Sequence, residues 1–216
     1  MKIKLLILTI ILLLSTGSLF ACPACSNETV AGWTHEGDDL YNQGKYPEAI
    51  ECYDKAIEEN PEDHYAWNNK GLCLYSLGKY EEAILCYDMA VKINPDNMYA
   101  WYNKGLILNE QENFQEAIIA FDRALEVFSY YTLALEGKGI SLSNMERYDE
   151  AMECFNKAIK ADPEDKYLWN SKGLCLIKQE KYEEALTCFD KAIEIDPNFT
   201  EAINYREEIL EEINKE

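Results

Sequence analysis

The sequence predicts an all-α solenoid, in which antiparallel helix hairpins stack in a row and a C-terminal helix caps the last one. Three observations support this fold class. Residue types recur with a period of 34, each period contains two apolar stripes of helical spacing, and one further amphipathic segment follows the last period. Periods of roughly 20 to 50 residues indicate stacked arrays, because no single copy buries its apolar face alone.

The first element, residues 1–21, has the composition of an export leader, with two lysines before an apolar run at residues 5–14. Three outcomes stay open. The leader is a cleaved signal peptide, an uncleaved anchor slightly shorter than the roughly 18 residues of a spanning helix, or the signal of a lipoprotein with lipid on Cys22. Each predicts export to the extracellular space, the periplasm or the outer face of the cell membrane.

Residues 22–29 form a linker that contains Cys22 and Cys25. Such a CxxC pair is a redox site, half of a metal site, a disulfide, two free thiols or a lipid attachment point. Redox use needs a preceding strand and a helix start that lower one thiol pKa, and structural zinc needs four ligands. The surrounding sequence offers neither. We therefore predict no metal and no cofactor, and a thiol–disulfide enzyme stays as the alternative from another functional class.

Five copies of the repeat occupy residues 30–199, with bounds at 30–63, 64–97, 98–131, 132–165 and 166–199. In the second copy, one helical pattern covers residues 65–77 and another covers residues 81–93. Gly78 interrupts the two patterns, and Pro95 ends the second because the residue before proline is pushed out of the α region. Each copy is therefore predicted to be a helix hairpin, in which the small residues Gly71 and Ala83 face one another.

Several columns of residue types recur in register. Glycine fills one of them in every copy, at Gly37, Gly71, Gly105, Gly139 and Gly173. Tryptophan, aromatic, alanine and proline columns accompany it, with Leu135 in place of one tryptophan and Ser129 in place of one proline. These columns resemble those of the tetratricopeptide repeat family. The resemblance covers residues 30–199 and implies a right-handed superhelix whose first helices line a concave groove for partner peptides.

The resemblance also implies which side chains line that groove. They are tyrosines and asparagines of the first helices, namely Tyr65, Asn68, Asn69, Tyr75, Tyr99, Tyr102, Asn103, Asn109, Tyr167 and Asn170. An asparagine amide both donates and accepts hydrogen bonds, so repeated asparagines suit the backbone of an extended peptide or protein. The alternative is that Asn69 and Asn103 are scaffold residues, bonded within the array.

The formal net charge of −20 restricts the choice of partner. A polyanion repels phosphate backbones, so nucleic acid is not a predicted partner. Members of the family that grip a C-terminal carboxylate use Lys and Asn on their first helix, and Thr34 and Asp38 occupy those positions here. The resemblance does not extend to this clamp, and acidic C-terminal peptides are not predicted partners.

A basic column precedes the glycines, at Lys70, Lys104, Lys138 and Lys172. Their helical positions turn them toward the preceding copy more than into the groove. We expect the stems to pack on apolar surface and the ammonium groups to pair with Asp or Glu.

The boundary between the third and fourth copies breaks the pattern. Phe128, Ser129, Tyr130 and Tyr131 stand where other copies have Asn-Pro or Asp-Pro. Loss of the proline stop signal predicts that the helix runs on or that the two halves meet at an altered angle. Phe128, Tyr130 and Tyr131 are a candidate second contact patch. The alternative is a loop whose aromatic side chains fold onto the core.

Six further cysteines lie in register within the copies. Cys52 and Cys73 are 21 residues apart, as are Cys154 and Cys175, and export permits disulfides. Counting along the paired helices leaves such pairs three residues out of register, about 4.5 Å along the axis. With this offset we expect the two Cα atoms to lie beyond the roughly 6.8 Å that a disulfide spans, so we predict small buried thiols.

Residues 200–216 form the predicted capping helix, which has an apolar stripe opposite a row of glutamates. Asn198 before it and Asn27 in the linker head the two N-x-S/T sequons. These are candidate glycosylation sites in an exported protein, or chance occurrences.

No arrangement of residues indicates catalysis, and the two histidines lie in different copies. The predicted function is therefore a non-catalytic scaffold that binds a protein or peptide outside the cytoplasm. A membrane-tethered assembly factor is the alternative within the same class.

Overall fold

The computed structural model describes residues 30–213, which form eleven α-helices joined by short turns and, within that range, no strand. The predicted all-α fold is confirmed. The leader at 1–21 and the linker with Cys22, Cys25 and Asn27 lie outside the described residues. The helices are α1 (Val30–Asn42), α2 (Tyr46–Glu59), α3 (His64–Ser76), α4 (Tyr80–Ile93), α5 (Met98–Glu110), α6 (Phe114–Val127), α7 (Thr132–Asn144), α8 (Tyr148–Ala161), α9 (Lys166–Lys178), α10 (Tyr182–Ile195) and α11 (Thr200–Ile213).

The first ten helices pair into five hairpins, each made of a first helix and a second helix. The first helices begin at positions 30, 64, 98, 132 and 166, so that successive hairpins start at the period predicted from the sequence. Over residues 30–213, no helix combines the length and the apolar character needed to cross a membrane.

The turn inside each hairpin contains one residue in the left-handed region of φ. It is glycine in the first two hairpins, with φ of 74° at Gly44 and 73° at Gly78. It is glutamate in the other three, with φ of 60° at Glu112 and Glu146 and 59° at Glu180. The glutamates accept this conformation at a cost of about 1–2 kcal/mol each, because the packed helices on both sides fix the turn.

The space left by each column glycine is filled by an aromatic ring of the second helix. A Cβ atom on Gly71 would lie 2.6 Å from Cε1 of Tyr87, and one on Gly105 would lie 2.6 Å from Cε1 of Phe121. Both rings are buried. The sequence pattern predicts Gly71 opposite Ala83, which is also buried, but the contact that requires glycine is the one with the ring.

Successive first helices contact one another along the array, from α1 through α3, α5 and α7 to α9. Successive second helices make no comparable contact in the described part of the chain. The first helices are therefore closer together than the second helices. The array curves accordingly, with the first helices on its concave face and the second helices on its convex face.

A ladder of side-chain bonds ties each hairpin to the preceding one. Each bond joins a basic side chain of a first helix to an Asp or Asn of the preceding second helix, always at the same separation along the sequence. The predicted pairing with an acidic residue of the preceding copy is confirmed for Lys70, Lys104 and Lys138, whereas Lys172 bonds to Asn156 instead. These cations therefore do not neutralise the concave face. The distances are 2.5 Å for Lys70–Asp54, 2.5 Å for Lys104–Asp88, 2.6 Å for Lys138–Asp122, 2.8 Å for Lys172–Asn156 and 2.6 Å for Arg206–Asp190.

Helix α11 takes the position of the first helix of a further copy. Ala202 and Ile209 are buried, the Tyr205 ring stacks on Phe189 with centroids 5.8 Å apart, and Arg206 supplies the last bond of the ladder. The helix therefore covers the apolar side of the last hairpin, while its glutamates remain exposed.

The irregular boundary ends its helix at the same register as the regular ones. Helix α6 stops at Val127, one full period after α4 stops at Ile93, so the prediction that the helix runs on is wrong. The backbone N–H of Phe128 donates to Ala124 at 3.0 Å and that of Tyr131 donates to Phe128 at 3.1 Å. These bonds close the turn without proline.

The irregular boundary differs from the others in its helix cap. Asp63 accepts hydrogen bonds from two backbone N–H groups at the start of α3, and Asp165 accepts one at the start of α9. Tyr131 precedes α7 and makes no such side-chain bond. The tyrosine instead turns its ring toward the concave face.

The equally spaced cysteines of the sequence analysis do not pair with one another. Cys73, Cys154 and Cys175 are buried free thiols, as are Cys86 and Cys188. Cys52 is buried but disulfide-bonded, so the prediction of a free thiol is wrong at that position. Burial raises the pKa of Cys73 to about 12. Burial likewise raises the pKa of Cys86 and of Cys188 to about 11.

Candidate functional site

The concave face carries a row of exposed apolar side chains along one edge. Tyr65, Tyr99, Leu133 and Tyr167 occupy the second position of α3, α5, α7 and α9. Their exposed fractions are 61%, 53%, 42% and 54%. We call this set the tyrosine row. An extended chain that crosses the first helices would meet each of them in turn.

Aromatic residues at the end of the same copy support two members of the tyrosine row. The Tyr99 ring lies edge-on to Tyr131 with centroids 6.1 Å apart, and Tyr167 lies edge-on to Phe199 at 5.3 Å. Tyr131 also contacts Tyr102, at 5.2 Å between centroids. Burial raises the pKa of Tyr102 to about 12, so its hydroxyl stays uncharged near neutral pH.

The second patch predicted at the irregular boundary is divided by this arrangement. Phe128 and Tyr130 are exposed by 50% and 51%, whereas Tyr131 is half-buried on the concave side. Because Tyr131 packs against Tyr102 and Tyr99, it belongs to the concave face. Lys157 Nζ lies 5.2 Å from the Tyr130 ring centroid, which holds that ring on the opposite side of the boundary.

The predicted asparagines at the first three repeats form a chain of hydrogen bonds. Asn103 Nδ2 donates to Asn68 at 3.3 Å, Asn68 donates to Asn69 at 2.9 Å, and Asn69 donates to Asp38 at 2.8 Å. Tyr53 donates to the same Asp38 oxygen at 2.7 Å. Asn69 and Asn103 are therefore bonded within the array, which favours the scaffold interpretation for these two. A role in partner binding stays a prediction.

Tyr75 and Asn109 also make bonds across the first helices. Tyr75 donates its hydroxyl proton to Glu110, and this bond together with burial raises the Tyr75 pKa to about 12. Asn109 accepts a hydrogen bond from Ser141 at 2.9 Å. In the middle of the concave face, side chains of α3, α5 and α7 therefore bond to one another across the gaps between these helices.

Between α7 and α9 the face contains a carboxyl group that is largely withdrawn from water. Ser171 donates to Glu136 at 2.6 Å. Burial raises the pKa of Glu136, although the bond from Ser171 lowers it in part. Asn170 is 4% exposed, and its Oδ1 has no hydrogen-bond partner in the described part of the chain.

Two cavities open on the concave face, one toward each end. The first, of about 300 Å³, lies between α1 and α3 and is lined by Asp38, Tyr41, Asn42, Tyr53, Asn69 and Leu72. We call it the Asp38 cavity. The second, of about 200 Å³, lies between α7 and α9, and its walls include Ile140, Phe155, Leu174 and Cys175. The first is about equally polar and apolar and carries a carboxylate, whereas the second is mainly apolar.

A cavity of about 480 Å³ lies outside the predicted groove. It is formed where α4, α5 and α6 meet, with Trp101, Val91 and Val127 as its apolar walls and Arg123 and Glu126 at its rim. A smaller one at Trp169 has the corresponding position two copies later. Periodicity alone did not reveal these sites, because tryptophan columns also indicate a buried core.

The two histidines each lie beside polar side chains of their own copy. Residues 30–213 contain no group of three or more His, Cys, Asp or Glu side chains that could hold a metal ion. His64 lies between the amides of Asn94 and Asn97, at 3.2 and 3.1 Å, and His35 lies on α1, 3.8 Å from Asp39.

Sequence reasoning missed two components of this face. Leu133 and Phe199 were not singled out, although each lies a whole number of periods after a selected tyrosine, Tyr99 and Tyr131 respectively. Comparing positions by register, whatever the residue type, identifies both. Asp38 was considered only as a position of the clamp that this chain lacks. The cavity beside it is visible only in the structure.

Comparisons with known proteins agree with this geometry. Three family models described as tetratricopeptide repeat match residues 35–98, 96–164 and 167–199. No curated protein matches the chain. Among solved structures, the chain is similar to YrrB, described as a TPR protein with an unusual peptide-binding site, at 26% identity and a TM-score of 0.69 over 83% of this chain and 93% of that one.

Two further solved structures show the same degree of similarity. MamA is 25% identical with a TM-score of 0.68, over 74% of this chain and 94% of its own. A tetratricopeptide repeat protein from Parabacteroides merdae is 26% identical with a TM-score of 0.71, over 83% of this chain and 70% of its own.

Proposed function

Because the chain belongs to the tetratricopeptide repeat family, we propose that it is a non-catalytic scaffold that binds an extended peptide or protein segment along its concave face. The tyrosine row is the observation that carries this proposal. Four large apolar side chains at one edge of the first helices remain 42% to 61% exposed. Tyrosine gives a large contact area and a polar tip for a small loss of conformational freedom.

The partner is expected to lie across the helices and to be extended. Consecutive packed helices are separated by about 8–10 Å, and an extended chain advances about 3.3 Å per residue. A segment therefore passes from one first helix to the next in about three residues. The similarity to YrrB, whose description mentions an unusual peptide-binding site, supports peptide binding of this kind for the present chain.

The test is capture of partners with a variant of the tyrosine row and a matched variant of the convex face. Tyr65→Ser, Tyr99→Ser and Tyr167→Ser together remove exposed apolar surface from the concave edge. Leu85→Ser and Ile119→Ser remove exposed apolar surface from the second helices, where these residues are 66% and 54% exposed. The wild type and the convex variant should capture the same proteins from an envelope fraction, and the row variant should lose them. Equal capture by the row variant would reject binding on the concave face.

We also propose that the protein works outside the cytoplasm, free or tethered to a membrane. The support is the sequence of residues 1–21, in which lysines precede an apolar run and small residues follow it. The mass of the mature N-terminus distinguishes the alternatives. A start at Cys22 with added lipid indicates a lipoprotein, a start near Ala24 without lipid indicates release, and an intact Met1 with membrane fractionation indicates an anchor.

A further inference from the structure

We infer that the Asp38 cavity receives a cationic side chain, lysine or arginine, of the peptide bound on the concave face, so that the partner is a basic extended segment. This inference rests on the proposed function. It adds the chemical class of the partner and the position at which the positive charge is recognised.

The carboxylate of Asp38 is held in a fixed orientation and keeps one oxygen available. Tyr53 and Asn69 both donate to Oδ1, at 2.7 and 2.8 Å. Within residues 30–213 no donor bonds Oδ2. Burial and the bond to Asp38 raise the pKa of Tyr53, so the phenol stays a neutral donor. A cation that enters the cavity finds a positioned acceptor that does not have to be reoriented.

The shape and the lining of the cavity suit a long side chain with a charged end. Its volume is about 300 Å³, and Leu72 and the Tyr41 ring provide apolar walls along which a methylene stem packs. An aromatic face near a cation adds electrostatic attraction. Asn42 also lines the cavity, and its amide oxygen is of the type that accepts from an ammonium or guanidinium group.

No cation of the protein competes for this site among the described residues of α1 and α3. Helix α1 contains neither lysine nor arginine, and α3 contains only Lys70, which is held 2.5 Å from Asp54 of the preceding second helix. His35 is exposed and lies beside Asp39, the residue next to Asp38. In a chain of net charge −20, no ion pair joins the Asp38 carboxylate to a cation of these two helices.

At the other end of the concave face, the cavity between α7 and α9 is expected to bind an apolar side chain of the partner. The cavity between α7 and α9 is walled by Ile140, Phe155 and Leu174. The two cavities are three hairpins apart, about 30 Å at the usual spacing of packed helices. An extended peptide covers that distance in about nine residues. A partner of this class therefore combines a basic residue with an apolar residue about nine positions away.

A displayed library of random peptides tests the inference on the full chain. Each peptide is about twelve residues long, which is enough to cross four steps between first helices at about three residues a step. Selections use the wild type, Asp38→Asn, Asp39→Asn and the variant of the tyrosine row. Asp39→Asn is the matched control, because it removes the same charge from the adjacent residue, which is 59% exposed and faces His35. Asn at position 38 still accepts hydrogen bonds from Tyr53 and Asn69, and thermal denaturation checks that the variant remains folded.

Peptides selected by the wild type and by Asp39→Asn should carry lysine or arginine at one fixed position, and those selected by Asp38→Asn should not. Replacing that lysine with norleucine should weaken binding to the wild type about tenfold and leave binding to Asp38→Asn unchanged. The inference would be rejected, and the proposed function kept, if the selected peptides carried no cation at a fixed position. The same conclusion would follow if Asp38→Asn selected the same cation as the wild type. Equal selection by the wild type and the row variant, or none by either, would overturn the proposed function as well.

Discussion

The contact between Gly105 and Phe121 predicts how Gly105→Ala changes the free energy of unfolding. Whether the substitution stabilises or destabilises depends on the packing of the Phe121 ring. A Cβ atom at position 105 would lie 2.6 Å from Cε1 of a ring that is fully buried. That is about 1 Å inside the optimal separation of two carbon atoms, and forced overpacking costs about 1–3 kcal/mol. Alanine in place of glycine inside a helix recovers about 1 kcal/mol. Gly105→Ala should therefore lower the free energy of unfolding by about 1 kcal/mol, with Tm lower by about 2–4 °C.

The sign should reverse when the ring is removed. In a Phe121→Leu background the clash is absent, and only the gain in helix propensity remains, so Gly105→Ala should stabilise by up to about 1 kcal/mol. The two substitutions should thus be coupled by about 2 kcal/mol. Equilibrium urea unfolding followed by circular dichroism at the helical band measures all four proteins. Additive effects, within about 0.5 kcal/mol, would show that the ring does not determine the glycine at this position.

Three further predictions concern other parts of the array. Burial raises the pKa of Glu136, so the folded state binds its proton more tightly than the unfolded state and loses stability as the pH rises through that pKa. Glu136→Gln should therefore raise Tm by about 2 °C at pH 7 and leave it unchanged below pH 4, whereas an effect that is the same at both pH values would exclude titration as the cause. Glu180 has φ of 59°, so Glu180→Gly should stabilise by about 1 kcal/mol while Gly78→Ala destabilises; both are read from urea midpoints, and a destabilised Glu180→Gly contradicts the argument. Burial raises the pKa of Cys73 to about 12 and of Cys86 to about 11, so at pH 8 both should react with a disulfide reagent over tenfold more slowly in the folded protein than in urea, and equal rates would contradict their burial.

The sequence predicted those features of the fold that repeat. Lys70, Lys104 and Lys138 were expected to pair with the preceding copy, and each does so at 2.5–2.6 Å. Periodicity succeeds here because every copy solves the same packing problem with the same residue types. It cannot show which neighbour requires a given residue, and so the ring of Tyr87 opposite Gly71 became visible only in the structure.

Features that depend on one boundary or one cavity were less accessible. The absence of proline after Val127 was expected to disturb the helix end, but backbone bonds from Phe128 and Tyr131 close the same turn. Helix ends are determined by such bonds as well as by stop signals. Asp38 is a candidate binding residue because Tyr53 and Asn69 donate hydrogen bonds to it and fix its orientation. These residues lie 15 and 31 positions away in the sequence, so no local sequence pattern predicts the arrangement.

The ladder between hairpins bears on how the length of this protein can change. Its last bond, between Arg206 and Asp190, repeats the distance found between the hairpins themselves, 2.6 Å against 2.5–2.6 Å. The capping helix therefore presents to its neighbour the same interface that an additional hairpin would present. A whole repeat unit inserted or deleted just before α11 leaves every remaining junction unchanged. Gene duplication can thus lengthen the binding surface in whole units, with a longer ligand recognised at each step and no new interface required.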